Sequence, residues 1–159
     1  MGNSTYAYQH YLLRSISTQF HLSDTLAVAQ QPGIQSVFRV TCHYPGGDFP
    51  DSVATVVNSQ VGQPTLTVHR SGVDSSGEHV LDKQAFGALT AMLSTVKFDK
   101  LDDQPGIPAT RANLWLVERA AGSFLKGVLL SPELATDSYQ SLVFRLHELL
   151  PGAVEPLGR

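Results

Sequence analysis

Residues 36–44 read Ser-Val-Phe-Arg-Val-Thr-Cys-His-Tyr, and their alternation constrains the fold more than any other feature. Phe38, Val40, Cys42 and Tyr44 occupy every second position, with Arg39, Thr41 and His43 between them. Side chains of a strand point alternately to opposite faces, so this run is a half-buried β-strand with one apolar and one polar face. Pro45-Gly46-Gly47-Asp48 ends it.

Two further strands follow at roughly 52–58 and 64–70. Gly62 and Pro64 separate them, and the short spacing predicts an antiparallel meander. Residues 71–79 are polar and rich in Gly and Ser, which predicts a loop. Asp82 then stands as a helix N-cap, with Phe86, Leu89, Leu93 and Val96 on one face of a helix over about 83–97. Gly87 within it costs up to about 1 kcal/mol relative to Ala. Residues 98–112 contain Asp102-Asp103, Pro105-Gly106 and Pro108, a long loop of the kind that more often carries function. Strands over 113–119 and 123–130 meet at Ala121-Gly122, and Pro132 stops the second. Thr136 or Asp137 caps a last helix, about 137–150, with Tyr139, Leu142, Leu146 and Leu149 on one face. Ahead of all this, residues 6–22 carry a helical stripe of Leu12, Ile16 and Phe20, although their β-branched and aromatic content leaves a strand open. Gln30-Gln31-Pro32-Gly33 breaks the segment.

The order α-βββ-α-ββ-α predicts an α+β fold, an antiparallel five-stranded sheet with helices packed on one face. The 159 residues form a single domain. Within it lie an N-terminal segment 1–33, helical or extended, a core over 34–151 and a tail 152–159. Both well-marked helices are expected on the Phe38-Val40-Cys42-Tyr44 face. The opposite face, with Arg39, Thr41, His43, Thr65, Thr67 and His69, is expected to stay wet or to meet the N-terminal segment or a partner. On this reading Val40→Asp unfolds the domain and Thr41→Asp spares it.

Charge and composition remove several function classes. The net charge is −3 and the basic residues are scattered singly, so no cluster is available to neutralise several phosphates, and nucleic acid is not expected as a partner. Cys42 is the only cysteine, which excludes an intrachain disulfide and a zinc site built on several thiolates. No stretch approaches eighteen apolar residues, so no membrane span is expected. The opening Met1-Gly2-Asn3-Ser4-Thr5-Tyr6 lacks the basic and apolar regions of an export signal. That places the chain in the cytoplasm as it stands, or in the periplasm where a signal ahead of Met1 was removed.

Motifs that carry chemistry are missing. The six histidines show no H-x-x-x-H or H-E-x-x-H spacing, so no metal is expected. There is no G-x-S-x-G elbow, and Cys42 and His43 point to opposite strand faces, so no catalytic residue is assigned. Asp48 and Asp51 supply too few oxygens for calcium. Pro45-Gly46-Gly47 is a turn and cradles no phosphate, so no cofactor is expected. What remains is a set suited to a protein partner: Asp102, Asp103 and Arg111 on the long loop, Trp115 behind them, and His43 and His69 on the polar sheet face. An enzyme would require a cleft gathering His43, His69 and acidic residues from separate segments.

Phe38-Arg39-Val40-Thr41, Phe98 to Leu101, Trp115-Leu116-Val117-Glu118, Gly122-Ser123-Phe124 and Ser131-Pro132 follow one another in a recognisable order. Over about residues 36–150 the chain resembles a diffuse group of small uncharacterised bacterial proteins, some exported or lipid-anchored, some similar to immunity proteins. The resemblance implies no chemistry. It implies a binding or inhibitory protein, with a toxin as the partner. In element order alone the chain is also similar to type III secretion chaperones, which implies a dimer displaying grooves to a secreted effector. The sequence leaves the oligomeric state open.

Overall fold

The computed structural model describes residues 6–72 and 77–150. The tail 152–159, and residues 73–76 of the segment read as a loop, lie outside the described residues.

Helix α1 (Ala7–Gln19) realises the stripe of the N-terminal segment, with Leu13 and Ile16 buried. A short helix α2 (Thr25–Ala29) follows, capped by the Asp24 carboxylate, which accepts from the Ala27 N–H. Strands β1 (Ile34–His43), β2 (Ser52–Ser59), β3 (Thr65–Arg70) and β4 (Gly77–Val80) come next. Helix α3 (Lys83–Thr95) starts where Asp82 accepts from the Ala85 N–H, as the sequence predicts. Strands β5 (Leu114–Ala121) and β6 (Phe124–Leu130) and helix α4 (Asp137–Leu149) complete the order. Thr136 stands at the N-cap of α4, but its side chain makes no capping bond.

All pairings are antiparallel, in the order β4-β3-β2-β1-β5-β6. Two parts of the expected architecture are corrected. The sheet has six strands, not five: Gly77–Val80, read as the end of a polar loop, pairs with β3. Its residues are exposed on both faces, so no apolar alternation marks them, and a backbone ladder to β3 holds them in place. Helices also cover both faces rather than one. Helices α3 and α4 pack on the face of Phe38, Val40, Cys42, Trp115, Val117 and Val128, as expected. Tyr6, just ahead of α1, and Leu13 and Ile16 within it lie on Val53, Leu114, Leu116 and Leu129 of the other face, and Ala29 of α2 meets Val37 and Ala120 beside them.

The reason is visible in β2 and β5. Val53, Ala54 and Val56, like Leu114 through Val117, are buried at successive positions. A strand buried on consecutive residues is covered on both sides. Of the outcomes open to the Thr41 face, contact with the N-terminal segment is the one realised: Thr41 is 1% exposed, and its register partners Val53 and Leu116 lie under α1.

A polar cluster is sealed into this second layer. Arg39 and Glu118 are register partners on β1 and β5, at 2% and 4% exposure. Glu118 accepts from Arg14 Nε at 3.0 Å and from the Thr25 hydroxyl at 2.8 Å. Arg39 donates to the Thr55 hydroxyl at 3.0 Å and to the Ser23 carbonyl at 2.9 Å. Gly127 is opposite Glu118 on β6, and a Cβ there would stand 3.2 Å from Arg14 Nη2. Glycine at 127 thus lets the Arg14 guanidinium lie across the strand.

Candidate binding surface

The loop after α3 is built, not slack. A single 3-10 turn, Phe98–Lys100, buries Phe98, and Asp99 takes two bonds from Arg119, at 2.9 and 2.6 Å. The chain then runs along the outer edge of β6. Gln104 donates its N–H to the Leu129 carbonyl at 2.9 Å. Asp103 Oδ1 accepts the Leu129 N–H at 2.8 Å, and Gln104 Oε1 accepts the Ser131 N–H at 3.0 Å. Asp103 and Gln104 thereby stand in for a strand on an edge that would otherwise present unpaired amides.

Both helical layers hold the same segment. From α1, His10 Nε2 lies 2.9 Å from Asp103 Oδ2. The Tyr6 hydroxyl donates to the Gln104 carbonyl at 2.9 Å and accepts from the Ile107 N–H at 3.2 Å. From α4, the Tyr139 hydroxyl contacts the carbonyls of Asp102 and Asp103 at 2.6 and 3.1 Å. Ile107 is buried. Beyond this anchored base, the Asp102 side chain and residues 108–111 are exposed. Arg111 has φ +69, a left-handed conformation that is costly for a residue with a side chain and recurs at functional loops.

The electrostatics follow from the packing. Burial alone would raise the Asp103 pKa, but the hydrogen bonds from His10 and the Leu129 N–H, with the charges of His10 and Lys126, hold it below the ordinary carboxylate value. Burial, then the charges of Asp102 and Asp103, push the Tyr139 hydroxyl above its usual pKa.

The residues singled out from the sequence separate into three groups. Asp102, Asp103 and Arg111 share the anchored loop, where Asp103 is spent on the architecture and Asp102 and Arg111 face outward. Trp115 is a core residue, 1% exposed, donating from Nε1 to the Tyr44 hydroxyl at 3.2 Å. His43 and His69 belong to the second face. His43 Nδ1 is 3.1 Å from both Asp51 oxygens. His69 lies against the Phe20 ring, centroids 5.5 Å apart. Its Nδ1 is buried with no hydrogen-bond partner among the described residues, and its pKa is lowered by burial and then by Arg39. The register sets His43 and His69 two strands and two residues apart, about 12 Å between Cα atoms.

Among the described residues, no group of three or more His, Cys, Asp or Glu is placed to hold a metal ion. None of their helices is long and apolar enough to cross a membrane. The sequence reading missed Gln104, His10 and Tyr6 as anchors of the loop, and the Arg39–Glu118 cluster. For the cluster there was a signal: Arg39 stands between Phe38 and Val40, and Glu118 follows the apolar run Leu114-Trp115-Leu116-Val117. For Gln104 there was none, because its four bonds all reach residues 25 or more positions away. No protein-family model matches the chain, and no curated protein matches it.

Proposed function

We propose that this chain is a non-enzymatic protein-binding or inhibitory protein whose contact surface is the exposed part of the 98–112 loop. The observation that carries the reading is the anchoring of that loop. Three hydrogen bonds from Gln104, two contacts of Asp103 and the hydroxyls of Tyr6 and Tyr139 hold its base, while Asp102, Pro108, Ala109, Thr110 and Arg111 stay exposed. A loop held before binding gives up little conformational entropy on binding. The strained Arg111 is the natural anchor, since Arg is over-represented among residues that dominate interface energetics. The resemblance to immunity-like proteins makes a toxin the partner class to test first.

The test is affinity capture from the native source with the parent chain and with an Asp102→Lys/Arg111→Glu variant. Both changed side chains are exposed, so the variant is expected to melt like the parent. A partner retained by the parent and lost, or weakened at least about tenfold, by the variant supports the reading. Recovery of the parent only as a lone monomer at every concentration, or equal retention by both, overturns it.

A further inference from the structure

The two edges of the sheet are finished differently. On β6, the outward groups of Leu129 and Ser131 are taken by Asp103 and Gln104. On β4 no described residue plays that part, and all four of its residues are exposed.

The ladder decides which backbone groups β4 presents. Leu81 donates its N–H to the Pro64 carbonyl at 2.8 Å. The register continues as Thr65↔Val80, Leu66↔His79, Thr67↔Glu78 and Val68↔Gly77. Bonded and non-bonded positions alternate in an antiparallel pair, so His79 and Gly77 are directed at β3. The N–H and C=O of Glu78 and Val80 therefore point outward. Their side chains share one face, that of Thr67 and Thr65, and Val80 is 61% exposed.

A second copy of the chain is a poor occupant. Two β4 strands related by a twofold axis can pair through these groups in three registers. Centred on Glu78, the register sets Glu78 against its own copy. Centred on Val80, it sets Glu78 against Asp82. Centred on His79, it sets Glu78 against Val80 and brings two His79 rings together. In none does Glu78 meet a cation, and like charges directly opposite destabilise a pair.

We propose that the outer edge of β4 receives an added antiparallel strand from another protein, with an aliphatic residue opposite Val80 and Lys or Arg opposite Glu78. Main-chain bonds to Glu78 and Val80 give the affinity, and the pattern apolar-x-basic gives the specificity. This edge lies across the whole sheet from the 98–112 loop, five strand spacings or about 24 Å away, so failure of one surface leaves the other untouched.

The test uses the full chain, labelled for NMR, with two blocked hexapeptides at millimolar concentration: Thr-Val-Thr-Lys-Thr-Val and Thr-Val-Thr-Glu-Thr-Val. The expected result is a shift of the Glu78 and Val80 amides, with about a tenfold preference for the lysine peptide. Glu78→Lys should reverse that preference. Val80→Pro removes an outward N–H and no bond to β3, so it should melt like the parent and lose the shift. Four results overturn the proposal: no shift, equal shifts with both peptides, Glu78 and Val80 amides already protected in the peptide-free chain, or concentration-dependent broadening at these amides without peptide. The last would assign the edge to a second copy.

Discussion

Arg39 and Glu118 are cross-strand partners on β1 and β5, both almost fully buried, and neither touches its neighbours through apolar atoms alone. Burial lowers the Arg39 pKa, and the charges of Glu118 and then Asp24 oppose that shift. The cluster joins the sheet to both N-terminal helices through Arg14, Ser23 and Thr25.

Removing one member should therefore cost far more than removing the set. Glu118→Ala leaves Arg39 buried without its counter-charge and is expected to destabilise by about 3–5 kcal/mol. Arg39→Met with Glu118→Leu, which removes both charges at similar volume, should recover most of that loss. Urea unfolding of the two variants measures the difference. A double variant no more stable than Glu118→Ala would show that the pair is not energetically coupled.

Thr41 gives a second expectation, opposite to the one drawn from alternation. Its side chain is buried and its hydroxyl has no hydrogen-bond partner among the described residues. Thr41→Asp should unfold the domain much as Val40→Asp does, because each introduces an unpaired carboxylate into a packed layer. Thr41→Val should instead stabilise by about 1 kcal/mol, by relieving an unsatisfied hydroxyl. Thermal melts by circular dichroism of the three variants settle the sign for each.

Asp103 makes the loop sensitive to acid. Its pKa is depressed in the folded chain, so its contribution is fully present above the unfolded value of about 3.8–3.9. The contribution is lost as pH falls through the folded value. Asp103→Asn keeps an acceptor for the Leu129 N–H and gives up the charge facing His10 and Lys126. Urea midpoints measured from pH 6 to pH 2 should fall less steeply for Asp103→Asn than for the parent. Parallel curves would remove Asp103 from the acid limb.

The sequence by itself determined the local elements wherever a period or a cap decides the matter. The alternation of 36–44 is β1, the stripe Phe86-Leu89-Leu93-Val96 behind Asp82 is α3, and Ala121-Gly122 turns β5 into β6, with Gly122 at φ +59. It also determined which side chains share a face, since that follows from the two-residue repeat alone. Tertiary structure decided what each face meets. Arg39 and Thr41 look like a wet face within their own strand, but Val53, Leu114, Leu116 and Leu129 from other strands share it. Their combined apolar area draws α1 over β1, β2 and β5, carrying the polar groups inside with it. Strand β4 became a strand because β3 offered it a ladder, and Asp103 became part of the scaffold because the Leu129 amide needed an acceptor. Both are pairings of backbone groups far apart in the chain, and side-chain patterns carry no record of them.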